Sequence, residues 1–538
     1  MLDLILKNGR IVDGTGNPWY LADVAIQGGR IAAIGRIDAE ARQTIDVRQQ
    51  VVSPGFIDGH CHSDLMIFDY PDSGIKLRQG VTTEVLGNCG LAPAPLVPER
   101  AELLRSYVQP VLGRRDGPWP WETVAQYLDA LAGSAVAENT AAYVAHGALR
   151  IAAMGFANRP ASADELELMK RMLEEGLAAG AIGLSIGLLY APGSYTGKEE
   201  LTELCNVLTK YGGLLSAHIR GEGSSLIASV REVVWIAKKA GIPLHISHLK
   251  AAGRRNWGKV SEAMELIEEA RARGLDVTCD VYPYNAGSTT LTTVLPPWVM
   301  ERGVEGVLEA LRQPELRRRI RDELGREQEA WDNLVCSTGW QSIVVSAVRS
   351  DRNRRLEGRT IADIAEERGT EPADCMMDLL LEEEGRIAIV YFHMSDEDVR
   401  QVIGYERSLI ASDSLTCATG KPHPRLYGTF PRLFAKYVRE ERVLTLEQAV
   451  RKITSFPAQR FRLGQRGLIA PGYAADLTVF DPDAIRDLAT YEQPRQFPEG
   501  VSHVIVGGEP ALRDGKPLSC SREGKLIRAA SCTGFCTS

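Results

Sequence analysis

Gly55-Phe56-Ile57-Asp58-Gly59-His60-Cys61-His62 decides how this chain is read. Two histidines lie two apart at the end of an apolar run containing Val51, Val52, Phe56 and Ile57, and that run reads as a buried strand. Alternate side chains of a strand share a face, so His60 and His62 point the same way and can grip one ion. Cys61, between them, faces away and reads as packing. An isolated H-x-H pair carries little information, but this one has partners downstream in Cys89, His218, His248 and Asp413. Each again follows an apolar, strand-like run. Five nitrogen or sulfur ligands with one carboxylate form a set that suits Zn2+.

Outward from this stretch, strand-like runs recur at 51–57, 82–86, 142–145, 181–186, 214–217, 243–247, 277–282 and 408–412. Helical patterns lie between several of them, as at 163–179 and 261–273. Eight strands with crossover helices predict a closed (β/α)8 TIM barrel, an α/β fold. The candidate ligands all follow strands, at the rim where such barrels carry their chemistry. The stretch between 282 and 408 is far too long for one strand–helix connection, so it reads as an inserted subdomain at about 286–400 between strands 7 and 8. Within it, 305–326 and 361–369 read as helical and 387–392 as an apolar run.

Both ends of the chain look β-rich. Short alternating runs and Gly-rich turns fill the first fifty residues and return at Ala475-Asp476-Leu477-Thr478-Val479-Phe480 and Val501-Ser502-His503-Val504-Ile505-Val506. The expected organisation is a small β-sandwich domain built from 1–53 and 463–515, a catalytic barrel over 54–462, and a disordered tail over 516–538. The tail's Cys520, Cys532 and Cys536 have no second pair of ligands near them.

Composition limits the function. A formal net charge of −8, without a lysine or arginine block, argues against a nucleic-acid partner. No apolar run is long enough to span a bilayer, and the first residues lack the pattern of a signal peptide. The ten cysteines are scattered rather than arranged as a disulfide framework. A cytoplasmic enzyme with a small-molecule substrate and no membrane partner is expected.

With these residues in hand, the chain resembles the amidohydrolase superfamily and, within it, the N-acyl-D-amino-acid deacylases (D-aminoacylases). The resemblance runs over residues 2–515. Its general marks are the run ending at His62 and the closing Gly467-Leu468-Ile469-Ala470-Pro471-Gly472 with Ala475-Asp476. Its narrower marks are Gly87-Asn88-Cys89-Gly90, Ala217-His218-Ile219-Arg220, Ser247-His248-Leu249-Lys250, Asp280-Val281-Tyr282-Pro283-Tyr284, Ser412-Asp413 and His423-Pro424-Arg425-Leu426-Tyr427. The resemblance implies a tightly held zinc on Cys89, His218 and His248. It implies a second, weaker metal position outlined by His60, His62 and Asp413. Lys250, Tyr282 and Arg425 are implied to hold the substrate's α-carboxylate, and Tyr190 and Ser288 match cavity positions.

Elementary chemistry agrees. Three protein ligands leave zinc an open position at which water acidifies, and Asp413 could take the proton as general base and return it as general acid. Arg425 offers a planar fork for a carboxylate, Lys250 a point charge and Tyr282 a neutral donor. The expected activity is zinc-dependent hydrolysis of the linear amide of N-acyl-D-amino acids. An acidic substrate side chain would need further basic groups, for which Arg220 and Arg254 are candidates. The rival reading is a cyclic amide hydrolase of the dihydropyrimidinase or dihydroorotase type. A metal-free scaffold is a third, which the filled ligand positions oppose. His245 falls on the strand face opposite His248 and reads as structural.

Overall fold

The apolar run at 51–57 divides at Gly55. Val51–Pro54 pairs parallel with Leu2–Ile11 and antiparallel with Leu477–Phe480, inside a nine-stranded sheet that draws on both ends of the chain. Phe56–Asp58 begins the barrel. The break falls at a residue without a side chain because a Cβ on Gly55 would lie 2.2 Å from Thr82 Oγ1. This computed structural model describes residues 1–70, 74–115, 117–328, 331–415, 419–518 and 522–529.

From Phe56–Asp58 the parallel order runs to Val81–Leu86 and then Asn139–Ala142. The third strand breaks at Tyr143 and resumes as Val144–Ala145, which pairs with Gly183–Gly187. Leu214–His218, Leu244–Ile246, Val277–Val281 and Ser408–Ile410 follow. The barrel closes where Ser414–Leu415, past the last strand, pairs parallel with Cys61–His62, past the first. An eight-stranded barrel is thus assembled, and its seam coincides with the histidine pair.

Local sequence explains the crossover helices. Ala163–Ala178 opens on a capping box, with Ser162 and Glu165 satisfying each other's backbone N–H, and turns Met169, Leu173 and Leu177 to the barrel. Leu226–Ala240 ends on Gly241 at φ 68°, with Lys238 and Lys239 near its C-terminal carbonyls.

The stretch after the seventh strand has a sheet and a core of its own. Ala286–Thr290, Ala388–Phe392 and Ile343–Ala347 form an antiparallel sheet. Leu291, Val307, Leu311 and Leu380 pack with it in a cluster separate from the barrel core. The helix expected over 305–326 is two helices, Gly303–Leu311 and Pro314–Leu324. Pro314 cannot continue a helix but suits a first turn, so the chain restarts there. Helix Asp396–Gly404 returns to the barrel, burying Val399, Val402 and Ile403.

The expectation of a disordered tail from residue 516 needs correction for 516–518, where Lys516–Pro517 pairs antiparallel with Glu509–Arg513, and for 522–529. Thr140 N–H donates to Lys525 O at 2.9 Å and Ile527 N–H to Thr140 O at 2.6 Å. Because the kinked third strand leaves Thr140 without a neighbour on that side, the tail supplies one, and Ile527 buries against Ile182 and Leu214. Cys520, Cys532 and Cys536 lie outside the described residues. Among the described residues, no helix is long and apolar enough to cross a membrane.

Candidate metal centre and active site

Six side chains from five strand ends converge at the C-terminal rim. Ligand atoms of His60, His62, Cys89 and Asp413 lie within 4.8 Å of one another, and so do those of Cys89, His218 and His248. Cys89 belongs to both groups. Its Sγ is 3.2 Å from His60 Nε2 and 3.5 Å from His248 Nε2. Asp413 Oδ1 is 3.2 Å from His62 Nε2 and 3.4 Å from His60 Nε2.

Backbone strain marks three of these residues. Cys89 (φ 55°), His248 (φ 35°) and Asp413 (φ 47°) all adopt left-handed conformations that non-glycine residues seldom occupy. Each costs on the order of 1–3 kcal/mol, held by surrounding structure. Cys89 is braced by close packing, since a Cβ on Gly187 would lie 2.0 Å from Cys89 O.

Carboxylates behind the histidines fix their orientation. His60 Nδ1 lies 3.2 Å from Asp280 Oδ2, and His248 Nδ1 lies 2.9 Å from Glu222 Oε1. A proton on His60 Nδ1, donated to Asp280, leaves its Nε2 lone pair facing the cluster, while His248 Nδ1 sits between Glu222 and Lys250 Nζ, the latter 2.7 Å away. His218 is buried with neither ring nitrogen hydrogen-bonded, a costly arrangement unless something else engages them. Burial alone would push the Cys89 thiol up, but His60, His218 and His248 hold it well below the ordinary thiol range. Thiolate, imidazoles and an orphaned histidine fit a soft divalent cation.

The expected carboxylate-holding residues occupy two layers. Lys250, Tyr282, Ser288 and Tyr190 line a 60 Å3 pocket directly over the cluster. Tyr190 also packs on His218, ring centroids 4.8 Å apart. Lys250 Nζ is 2.5 Å from Glu222 Oε1. Arg425 is fully buried behind Tyr282, its guanidinium 4.6 Å from that ring's centroid. Its Nη1 is 2.9 Å from Asp413 Oδ2, and its Nη2 donates to Ser288 O at 3.3 Å. Burial would raise the Asp413 carboxyl, but Arg425 and His60 outweigh it and hold the group well below the usual carboxylate range.

Against this geometry, known proteins are informative. A match to the amidohydrolase family spans residues 43–511. D-aminoacylase of Alcaligenes xylosoxydans xylosoxydans is 37% identical over 517 residues, 95% of each chain. N-acyl-D-glutamate deacylase of the same organism is 36% identical, covering 98% of this chain and 96% of its own. This chain belongs to the N-acyl-D-amino-acid deacylase family of amidohydrolases. A crystal structure of N-acyl-D-glutamate deacylase from Bordetella bronchiseptica, complexed with zinc and a phosphonate mimic of the tetrahedral intermediate, superposes with a TM-score of 0.84. It is 33% identical and covers 98% of this chain and all of its own.

Three residues of this deacylase-family site carry no role in the reading from sequence. Glu222 ties Lys250 to His248, and its place four residues beyond His218 was the available signal. Asp280 joins His60 to His245, whose Nε2 is 2.9 Å from the same Oδ2, so His245 supports the centre from behind. His393 reaches the pocket from the inserted sheet. Its Nδ1 lies 2.8 Å from Tyr391 O, and burial keeps the ring neutral by lowering its pKa to about 4. Cys61 is more than packing, its Sγ lying 3.1 Å from Glu84 Oε2. Of the basic candidates, Arg220 is held by Glu232, Ser194 O and Thr196 O, and Arg254 lies against Trp257.

Proposed function

We propose that this chain hydrolyses the amide bond of N-acyl-D-amino acids to a carboxylate and a free D-amino acid, with zinc as its metal. The observation that carries the reading is a thiolate–imidazole cluster sharing one pocket with Lys250 and Tyr282. The relatives' names and the zinc–phosphonate complex support the same substrate class and metal. A zinc ion held by Cys89, His218 and His248 would supply Lewis-acid polarisation of the acyl carbonyl and acidify water. His60, His62 and Asp413 outline a second, weaker position.

The chain's own residues divide the remaining work. Asp413, ionised by its cationic surroundings, accepts a proton from the attacking water through Oδ1 and delivers it to the leaving amine nitrogen. Lys250 and Tyr282 orient the α-carboxylate at the pocket wall, alongside Tyr190 and Ser288. Arg425 completes the clamp by turning Nη1 from Asp413 to that carboxylate. Arg425→Ala is expected to raise KM about 10- to 100-fold, the worth of a hydrogen bond to a charged group. Bound zinc stays unchanged. A loss confined to kcat would restrict Arg425 to its contact with Asp413.

A larger cavity of 720 Å3 adjoins the pocket across Leu91, Val111, Leu189 and Tyr190. Among its described lining residues Arg220 is paired, Arg326 sits exposed at the rim, and Glu232, Glu323 and Asp332 are acidic. That balance supports neutral, apolar substrate groups over acidic ones. N-acetyl-D-leucine is expected to exceed N-acetyl-D-glutamate in kcat/KM by about tenfold or more. The reverse order in a paired assay would remove this preference.

A further inference from the structure

Asp413 keeps its left-handed backbone between two serines, and both are tied to one buried lysine. Lys76 Nζ donates to Ser414 Oγ at 2.9 Å and to Ser412 Oγ at 3.1 Å, and pairs with the Asp58 carboxylate. Asp58 in turn accepts from Ser412 N–H at 2.9 Å and Ser412 Oγ–H at 2.5 Å. The two serine hydroxyls are 2.9 Å apart, and Asp413 N–H donates to His60 O at 2.7 Å.

Lys76 also faces Glu84 at 3.4 Å. Glu84 accepts from Ser63 Oγ at 2.7 Å and lies beside Cys61. The network therefore holds 58, 61 and 63 around the histidine pair, and 412 and 414 around Asp413. Cys61, Ser63, Ser412 and Ser414 alternate with the ligands and lie behind them, and Asp58, at the end of the first barrel strand before the break at Gly59, joins the two sides. Lys76 is 5% exposed and Asp58 fully buried, so this is a low-dielectric site in which geometry is strongly enforced.

We propose that Lys76 is a positioning residue for the hydrolysis. Through Ser412, Ser414 and Asp58 it holds the backbone at Asp413, so that the carboxylate stays turned to His60 and His62. The proposal rests on Asp413 being the proton carrier, as read above.

Lys76→Met and the double variant Ser412→Ala/Ser414→Ala test it, with kcat, KM and zinc per chain measured for each. Both are expected to lose at least about tenfold in kcat, with KM within about twofold and zinc retained. Adding Lys76→Met to Asp413→Ala is expected to cost nothing further, because two residues acting through one group are non-additive. Equal losses in the presence and absence of Asp413, or full kcat in the serine variant, would overturn the proposal. If Lys76→Met does not fold, the serine variant decides, since it removes hydroxyls and leaves the buried charges paired. Wild-type protein inactive on every N-acyl-D-amino acid overturns the parent reading and this proposal together. Wild-type activity that survives all these changes overturns this proposal alone.

Discussion

Asp413→Ala is expected to lower kcat by about 10²- to 10⁴-fold, the usual worth of a positioned general acid–base group, while zinc stays bound. The carboxylate stands 3.2 Å from His62 and 2.9 Å from Arg425 at the barrel seam. Its removal leaves Cys89, His218 and His248 untouched, so the tight position survives. Arg425 loses its carboxylate partner in the variant, which adds a stability cost of a few kcal/mol for an uncompensated buried charge. Asp413→Asn, which keeps the shape and loses the base, separates the two effects. It should lose comparable kcat with less thermal destabilisation. Near-normal turnover by either variant at measured zinc content would remove Asp413 from proton transfer.

Cys89→Ala is expected to abolish stoichiometric zinc and activity together. Cys89 alone belongs to both ligand groups, and its thiolate supplies the negative charge beside three imidazoles. Mutation of residues merely behind a ligand weakens metal binding about 10- to 100-fold, and loss of a ligand itself should exceed that. Dialysis against a weak chelator followed by metal counting reads the effect directly. Retention of one zinc per chain with normal turnover would move the centre to His60, His62 and Asp413. Cys89→Ser offers an oxygen of similar size, and residual activity restored only by excess zinc would identify softness of the ligand as the missing property.

Much of this site was legible because its logic is local. Alternation puts His60 and His62 on one face, and a ligand just past an apolar strand falls on the barrel rim. His393 obeys the same rule, following Ala388–Phe392, yet its strand belongs to the insertion, whose docking on the rim leaves no local trace. Lys76 was illegible for a different reason. In Ile75-Lys76-Leu77-Arg78 it looks like a solvated charge, and lysines are seldom buried without partners that lie far away in sequence. The break at Tyr143 and the docking of 522–529 depend on each other, so neither could be read alone.

The seam has a consequence for how the molecule comes into being. Its two halves, Cys61–His62 and Ser414–Leu415, lie more than 350 residues apart in the chain. During synthesis the first strand must wait, its outer edge unsatisfied, until the eighth has left the ribosome. Contacts of such separation form slowly and late. The meeting of Asp413 with His60 and His62 is therefore made in the same event that completes the barrel, and a nascent chain shorter than this span has neither.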